Sequence, residues 1–246
     1  MEQITFSIIT PAYNVADSIL KTIKSISNQD YSSFEYIIQD GGSSDGTVEL
    51  IEEIKKDKPW IKFHQQSDRG IYDAMNLAID KAIGKYIIFL GAGDSLFDGS
   101  VLSTVERHIK ENNSPDIIYG YVMTKKTGED DLAKYDNRLD FWYTVKFRPV
   151  CHQAIFAKTS LFSEKKFDIS YEVVADQDWM LSMLKTGKNI QYIDAPISVY
   201  MLDGMSSSPE GEKKGIDEQH RIHKIYYPIR CKVWSAYNSI KKAIGN

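Results

Sequence analysis

The feature that most constrains this fold is a regular alternation of short apolar runs with amphipathic helical segments over the first hundred residues. Four runs rich in β-branched and aromatic residues have strand character: "ITFSIIT" (4–10), "FEYIIQ" (34–39), "WIKFHQQ" (60–66) and "KYIIFL" (85–90). Apolar residues at helical spacing lie between them, at 19–26, 48–54 and 71–82. This order predicts right-handed βαβ crossovers, and therefore an α/β domain whose mostly parallel sheet is flanked by helices.

Local signals also predict where these elements begin and end. Pro11 is expected to close the first strand, because proline cannot donate to a strand ladder. Asp17 or Ser18 is expected to cap the first helix and Thr47 the second. Gly84 is expected to end the third helix.

Four loops follow the four predicted strands, and the carboxyl ends of parallel strands share one edge of a sheet. The loops comprise residues 11–14, Asp40 with the glycines after it, residues 68–73 and residues 91–94, and three of the four contain aspartate. Open α/β sheets bind ligands beyond the carboxyl ends of their strands. The sequence therefore predicts a ligand site at this edge.

Composition narrows the class of protein. The 246 residues are 42% hydrophobic and 26% charged, which is ordinary for a globular protein that buries a sizeable core. No apolar run approaches the roughly 18 residues that a bilayer span requires. Cys151 and Cys231 lack metal-ligand spacing and no leader-like segment follows Met1, so we expect a cytoplasmic protein.

Charge is unevenly distributed along the chain. The net charge is −4, but residues 213–246 hold eight Lys/Arg against Asp217 and Glu218, which leaves +6 there and −10 in residues 1–212. We therefore predict a domain at 1–212 and a basic, aromatic, helical tail at 213–246, broken near Pro228. The tail either lies on an anionic membrane surface or packs on the body. The acidic body carries no nucleic-acid-binding module, so no nucleic acid partner is expected.

The pattern is weaker beyond residue 110. Strand character recurs in "DIIYGYVM", "AIFAK", "IQYID" and "ISVYML", and "DQDWMLSMLKTG" (176–187) predicts a helix that Gly187 ends. Residues 125–149 are polar and aromatic without a clean period, so we expect them to be irregular or to face substrate. Residues 125–150 and 202–215 are expected to set acceptor choice.

Asp40 follows a buried strand in "IIQDGGSSDGT" (37–47). An ionised carboxylate only accepts hydrogen bonds, so Asp40 suits a ligand N–H donor such as the ring imide of uracil. Gly41 and Gly42 allow close backbone approach, and Tyr13 offers an aromatic face for a base. A simple polar turn explains the same segment equally well.

Asp94 and Asp176 each admit two interpretations. Asp94 ends "IIFLGAGD", where it is suited either to hold a cation on a diphosphate or to cap a helix. Asp176 and Asp178 open a predicted helix, where the helix dipole favours carboxylates. The alternative is that Asp176 acts as a general base. A metal-bound diphosphate leaves without a proton, so one carboxylate is enough to activate an acceptor hydroxyl.

Five segments together resemble the family 2 glycosyltransferases, which are inverting enzymes of the GT-A fold that use nucleotide sugars. The segments are "SIITPAYN", "IIQDGGSSDGT", "DRGIYDAMNLAIDKAIGKYIIFLGAGD", "CHQAIFAK" and "ADQDW", and the likeness spans about residues 4–205. The sequences "DGGS" and "GIYDAMN" are most similar to those of bacterial members that build surface and extracellular polysaccharides. The resemblance implies a Rossmann-like GT-A sheet flanked by helices.

The resemblance also implies a role for individual residues. Asp176 matches the catalytic base, and Asp94 matches the aspartate that ligates Mn²⁺ or Mg²⁺ on the diphosphate. His152 and Gln153 match a pair near the acceptor side, although a buried structural histidine is an equal alternative. The positions that match the donor side are Pro11, Tyr13, Asn14, Asp40, Asp68, Gly70, Asp73, Asn76 and Gly93.

Three positions depart from the family pattern. Many relatives have an acid where Gly41, Gly93 and Ala175 stand. The loss at position 93 removes a ribose or metal contact, so the cation is expected to be held mainly by Asp94.

The resemblance implies transfer of a sugar from a UDP-sugar to a saccharide acceptor. The acceptor is often lipid-linked in similar enzymes, which places the protein at the inner face of the membrane. One alternative is a non-catalytic nucleotide-sugar-binding subunit, which the missing acids at 41, 93 and 175 suggest. A second is a nucleotidyltransferase, which the absence of a "GxxxxGK" loop makes weaker.

Overall fold

Four parallel strands form the first half of the sheet in the computed structural model, which describes residues 4–128, 130–136, 138–139, 150–202 and 208–228. β1 (Phe6–Ala12) lies between β2 (Phe34–Asp40) and β4 (Tyr86–Phe89), and β3 (Ile61–Gln65) pairs with the outer side of β2. All three pairings are parallel. The predicted strands and their shared direction are confirmed, so their carboxyl ends meet at one edge.

Helices cover both faces of this half. The crossovers are α1 (Ile19–Ser27), α2 (Thr47–Ile54) and α3 (Ile71–Ile79). Neighbouring residues of a strand point to opposite faces, so Ile8 packs in the core with α1 and α2, while Ile9 packs in a second core with α3. The predicted α/β layering is confirmed.

The second half of the sheet is mixed in direction. It is built from β5 (Ser95–Leu96), β6 (Ile117–Lys125), β7 (Ala133–Tyr135), β8 (Ile155–Lys158) and β9 (Ile190–Met201). β8 pairs antiparallel with both β4 and β6, and so joins the two halves into one sheet of order β3-β2-β1-β4-β8-β6-β9-β5. β9 runs parallel to β6, whereas β5 and β7 pair antiparallel with β9 and β6. The parallel arrangement thus holds for the first four strands.

The remaining α-helices follow β5 in the chain. They are α4 (Val101–Glu111), α5 (Thr159–Glu164), α6 (Ala175–Lys185) and α7 (Pro209–Tyr226). Gly187 has a φ of 69° just after α6, as predicted for a helix stop. α7 begins at Pro209 and so crosses the predicted boundary between domain and tail at 212/213. None of the described helices is long and apolar enough to cross a membrane.

Several predicted boundaries were wrong. β1 continues through Pro11 to Ala12. The Pro11 nitrogen points toward β4, but β4 pairs with β1 only up to Ile9. The missing N–H of Pro11 therefore removes no hydrogen bond from the sheet. Thr47 is the first residue of α2 instead of its cap. α3 ends at Ile79, and Gly84 serves a close approach: a Cβ there would lie 2.5 Å from the Ser7 nitrogen.

Two further predictions, the separate strands near residue 195 and the irregular segment 125–149, concern the second half of the sheet. The runs "IQYID" and "ISVYML" form one strand, β9, whose pairing with β6 is irregular near Gly120. A Cβ at Gly120 would meet the Ala195 carbonyl oxygen at 2.5 Å, so the backbones approach too closely for a side chain. Within 125–149, β7 is regular structure that the sequence did not predict. Residues 140–149 and the tail beyond 228, which includes Trp234 and Tyr237, lie outside the described residues.

Candidate active site

The loops after β1 and β2 are joined side by side. Asn14 has a left-handed φ of 52°; its backbone N–H donates to Ser43 Oγ at 2.8 Å, and its Oδ1 accepts from the Ser44 N–H at 2.9 Å. Asp45 Oδ2 accepts a hydrogen bond from the Ala16 N–H at 3.0 Å. This pairing leaves the Tyr13 ring 65% exposed, beside Asn14 at the carboxyl end of β1. The exposed ring is free to meet a flat ligand.

Asp40 ends β2 and is fully buried. Its Oδ2 accepts from the N–H groups of Gly42 and Ser43 at 2.9 and 3.0 Å, and its Oδ1 accepts from the Ser43 hydroxyl. The carboxylate therefore shapes the glycine loop. It has about four acceptor sites, of which these bonds use three, and its side chain has no surface exposed to solvent in this structure.

Asp68 lies directly against Gly41. A Cβ at Gly41 would be 2.5 Å from Asp68 Oδ2, and Asp68 Oδ1 accepts from the Gly70 N–H at 2.9 Å. Burial raises the pKa of Asp68, and the charges of Asp73 and Asp40 act in the same direction. The Asp68 carboxylate thus occupies the space that a side chain at position 41 would need.

The remaining donor-side residues have local partners. Gly70 precedes α3 with a φ of 123°, which only glycine adopts readily. Asp73 accepts from the Arg69 backbone N–H and Nε, each at 3.0 Å, and this contact lowers the pKa of Asp73. The Asn76 amide both donates to and accepts from the Phe167 backbone, at 2.9 and 3.0 Å. The Asn76 side chain therefore anchors the chain between α5 and α6.

Asp94 follows β4 and is only 4% exposed. Its Oδ1 accepts from the Met201 N–H at 2.9 Å, and its Oδ2 accepts from the Gln153 amide and the Gly91 N–H, each at 3.2 Å. Burial raises the pKa of Asp94, because desolvation disfavours the ionised form. Gly93 beside it has a φ of 97°, so an acid at that position would be strained.

This environment fits a cation held by one carboxylate. A buried carboxylate whose ionisation is disfavoured gains from a nearby positive charge, and its three hydrogen bonds leave one acceptor site. No group of three or more His, Cys, Asp or Glu side chains arranged for a metal occurs in the described part of the chain. A divalent ion at Asp94 would therefore complete its coordination with diphosphate oxygens and water.

Asp176 lies in the first turn of α6 and contacts His152. His152 Nδ1 and Asp176 Oδ2 are 2.8 Å apart, and both side chains are mostly buried. Asp176 Oδ1 accepts from the Tyr72 hydroxyl at 3.0 Å and from the Gln177 N–H at 2.9 Å. Asp176 is thus held by groups from three separate segments of the chain.

A single 3₁₀ turn, His152–Ala154, joins the predicted base to the predicted metal ligand. His152 contacts Asp176, and Gln153 donates to Asp94. Burial raises the pKa of the neighbouring Cys151 thiol, and the charges of both aspartates act in the same direction. The predicted catalytic and metal residues are therefore close neighbours, linked to the Asp68 loop through Tyr72 on α3.

Sequence reasoning missed Tyr72. Its hydroxyl lies 2.8 Å from the Val173 carbonyl oxygen and 3.0 Å from Asp176 Oδ1. Burial, and then the charge of Asp176, raise the pKa of Tyr72, so its hydroxyl stays protonated and donates. Its place within "GIYDAMN" was the available signal, but a tyrosine on the apolar face of a helix is more often a core residue.

The first part of the predicted tail packs on the body. The Tyr226 hydroxyl donates to Asp178 Oδ1 at 3.0 Å, Lys165 forms an ion pair with the same carboxylate, and Lys185 lies over the Tyr227 ring. Up to residue 228, these contacts correspond to the packing alternative.

Comparison with known proteins gives one matching family. The family model described as glycosyl transferase family 2 matches residues 7–169. The PGL/p-HBAD biosynthesis glycosyltransferase of Mycobacterium bovis is 35% identical over 176 residues, which covers 71% of this chain and 67% of that protein. The chain thus spans about two thirds of the length of this relative.

Solved structures with the same fold include TarS and a mannosyltransferase. Staphylococcus aureus TarS in complex with UDP matches 90% of this chain and 65% of its own, with a TM-score of 0.70 at 19% identity. A TarS complex with UDP-GlcNAc has the same TM-score. The mannosyltransferase PcManGT of Pyrobaculum calidifontis, with GDP-Man and Mn²⁺, matches 84% of this chain and 59% of its own, with a TM-score of 0.65 at 16% identity. These likenesses confirm the predicted GT-A fold.

Proposed function

From the premise that this chain belongs to glycosyl transferase family 2, and is thus a glycosyltransferase, we propose that it inverts configuration at the transferred sugar. In this proposal a UDP-sugar is the donor and a hydroxyl group of a saccharide is the acceptor. The product is proposed to contribute to a cell-surface polysaccharide, as the resemblance to bacterial members of the family implies. An α-linked donor then gives a β-linked product.

The observation that carries the proposal is the turn between Asp94 and Asp176. Adjacent residues His152 and Gln153 contact one aspartate each, so a diphosphate near Asp94 would present its sugar toward Asp176. Asp176 takes the proton of the acceptor hydroxyl while the hydroxyl oxygen forms a bond to the anomeric carbon of the sugar. The bond from that carbon to the diphosphate oxygen breaks, and UDP leaves with the electron pair.

The donor assignment is supported by the loops at the strand ends. Asp40 would accept a ring N–H if the glycine loop that it binds moves to expose its carboxylate, and the exposed Tyr13 ring can stack on a base. The TarS complexes with UDP and UDP-GlcNAc support the same class of donor.

A divalent cation, Mn²⁺ or Mg²⁺, is part of the proposal. The PcManGT complex with Mn²⁺ supports it, and Asp94 is the residue that would hold the ion here. When bound, the ion would neutralise negative charge on the departing diphosphate. Gln153 and the Met201 N–H would orient the Asp94 carboxylate toward it.

The acceptor is proposed to be a lipid-linked saccharide. Such an acceptor would bring the enzyme to the inner face of the membrane, where a basic tail favours anionic lipid. The described residues do not include the part of the tail that would make this contact.

Asp176→Asn tests the assignment of the base. We expect UDP release from a UDP-sugar to fall by at least about 100-fold, because the amide cannot take a proton, while the Kd of UDP changes little. Calorimetry with UDP and a UDP-release assay over a panel of UDP-sugars give both quantities. The matched control is Asp178→Asn, two residues along α6, whose carboxylate binds Lys165 and Tyr226 instead.

Two outcomes would contradict the proposal. A folded Asp176→Asn protein that turns over at the wild-type rate would remove Asp176 from the reaction. A wild-type protein that binds UDP but consumes none of the UDP-sugars would instead indicate a binding subunit.

A further inference from the structure

The last described helix, α7, contacts every residue of the segment 171–174, which leads into α6. Arg221 lies over the Tyr171 ring, 4.7 Å from its centroid, and Lys214 forms an ion pair with Glu172. Gly215 faces Val173 so closely that a Cβ there would lie 3.3 Å from Val173 Cγ1. The segment is thus held along its whole length by one helix.

Glu218 provides the central contact. It is 4% exposed, and its Oε1 accepts from the Glu172 N–H at 2.9 Å. Its Oε2 accepts from the N–H groups of Val173 and Val174, at 3.0 and 3.2 Å. Three consecutive backbone donors therefore converge on one buried carboxylate.

This carboxylate acts at the point where the backbone turns into α6. Val174 is the residue that precedes α6, and Asp176 is the second residue of the helix. The Val173 carbonyl oxygen also lies 2.8 Å from the Tyr72 hydroxyl, which contacts Asp176 Oδ1. A shift of residues 172–174 would therefore move Asp176 both through the chain and through Tyr72.

We propose that Glu218 is a positioning residue for the catalytic step, and that α7 is part of the active-site framework. The proposal rests on the proposed function, in which Asp176 is the base. Glu218 does not touch substrate; it fixes the three N–H groups that set where α6 begins. The family match ends at residue 169, so this contact lies outside the matched region.

Glu218→Gln changes this contact with almost no change in volume. A glutamine has one oxygen where glutamate has two, so its NH₂ group must face at least one of the backbone N–H donors. Repulsion between donors should release part of the segment 171–174. A misplacement of the base of about 1 Å lowers a rate by roughly 100-fold.

The test separates rate from binding. We expect Glu218→Gln to lower kcat for UDP release from the most active UDP-sugar roughly 10- to 100-fold, while KM and the UDP affinity change less than about twofold. Amide hydrogen exchange at residues 172–174 should become faster. Tyr226→Phe is the matched control: it removes a contact between α7 and Asp178 of α6 that involves none of residues 171–174, and kcat should be unchanged.

A double variant distinguishes positioning from general destabilisation. If Glu218 acts through Asp176, then Glu218→Gln adds no further loss of rate in an Asp176→Asn background. Hydrolysis of the UDP-sugar by water, followed over long incubations, measures the residual rates. Gly215→Ala is a second variant, should Glu218→Gln fail to fold, because its methyl group pushes on Val173 and should also lower kcat.

The outcomes are distinct. Wild-type kcat in Glu218→Gln despite faster exchange at residues 172–174 would overturn the proposal. An equal loss of rate in the presence and absence of the Asp176 carboxylate would overturn it too, while the proposed function stands. Full activity of Asp176→Asn alone would reject the base assignment, and the positioning role with it.

Discussion

At the scale of single residues, the site depends on carboxylates that the fold withdraws from water. Asp40 and Asp94 are buried, and each is surrounded by backbone and side-chain donors that hold it in one orientation. An ionised group in such a place is costly unless hydrogen bonds or a positive charge compensate for lost hydration. This cost is a reason for Asp94 to attract a cation.

Asp94→Asn should abolish the effect of Mn²⁺ on UDP binding. In the wild-type protein we expect Mn²⁺ to tighten UDP binding at least about tenfold, and the amide cannot replace the charge that holds the ion. Calorimetry with UDP, with and without MnCl₂, measures the effect. Asp130→Asn, which alters a fully exposed carboxylate, is the control.

The effect of Mn²⁺ on UDP binding should depend on pH. Burial raises the pKa of Asp94 above its ordinary value of 3.8, so protons compete with the ion at a higher pH than for an exposed aspartate. The Mn²⁺ effect should therefore be complete well above this raised pKa and decline as the pH falls through it. An Mn²⁺ effect that persists in Asp94→Asn would contradict the assignment.

Gly41→Ala should weaken UDP binding without much loss of stability. The new methyl group would displace the flexible end of Asp68, which costs less than about 1 kcal/mol in free energy of unfolding. If Asp68 contacts the donor, its displacement should reduce UDP affinity several-fold, as measured by calorimetry. In an Asp68→Ala background the same substitution should have no effect, and a persistent effect would show that Asp68 is not the residue displaced.

At the scale of elements, the mixed half of the sheet is joined by side chains as well as by its ladder. Asp116, just before β6, accepts from Lys158 Nζ of β8 at 2.8 Å and from the Asn189 N–H, just before β9, at 3.0 Å. One carboxylate thus connects the starts of β6 and β9 with the end of β8. The Lys158 contact is the largest cause of the lowered pKa of Asp116.

Asp116→Asn should destabilise the protein by about 1 kcal/mol at pH 7, because the ion pair is partly exposed. The folded-state pKa of Asp116 is lowered, so its contribution is present above the unfolded value of about 3.9 and is lost as pH falls through the folded value. Urea unfolding at pH 7, 5 and 3 should show the difference from wild type shrinking only at the lowest pH.

The surface ion pair of Asp80 and Lys166 provides the comparison. Both of its side chains are more exposed than those of Asp116 and Lys158. Asp80→Asn should therefore change the free energy of unfolding less than Asp116→Asn at pH 7. An Asp116→Asn protein as stable as wild type at pH 7 would mean that the ladder alone joins these strands.

At the scale of the whole molecule, the described part of α7 belongs to the body. Ile222 is fully buried in the core cluster that contains α3 and α6, and Glu218 and His223 are also buried. The sequence-based boundary at 212/213 cuts through this helix. A division of the chain by net charge alone therefore separates residues that pack together.

A chain that ends at residue 208, before α7, should be strongly destabilised. Removal of Ile222 exposes apolar surface worth about 1.5 to 3 kcal/mol, and the three N–H groups that Glu218 accepts lose their partner. We expect the Tm measured by circular dichroism to fall by about 10 °C or more. An unchanged Tm would show that α7 is an independent tail, as the charge distribution suggested.

The sequence by itself determined the first half of the fold and predicted most of the candidate site residues. Strand and helix periods are local properties, and successive parallel strands place the residues after Asp40 and Phe89 at one edge. Asp94 and Asp176 were predicted from that order and from the family resemblance. Their neighbours in space could not be derived in this way.

Only the tertiary structure decided which distant groups meet. His152 and Gln153 lie between Asp94 and Asp176 because β8 joins the two halves of the sheet, and Glu218 reaches residues 172–174 because α7 returns over α6. Pro11 stays within β1 for a similar reason. The pairing of the neighbouring strand β4 ends at Ile9, so the N–H that proline lacks has no partner to lose. Such pairings depend on packing between segments far apart in the chain, which no local pattern records.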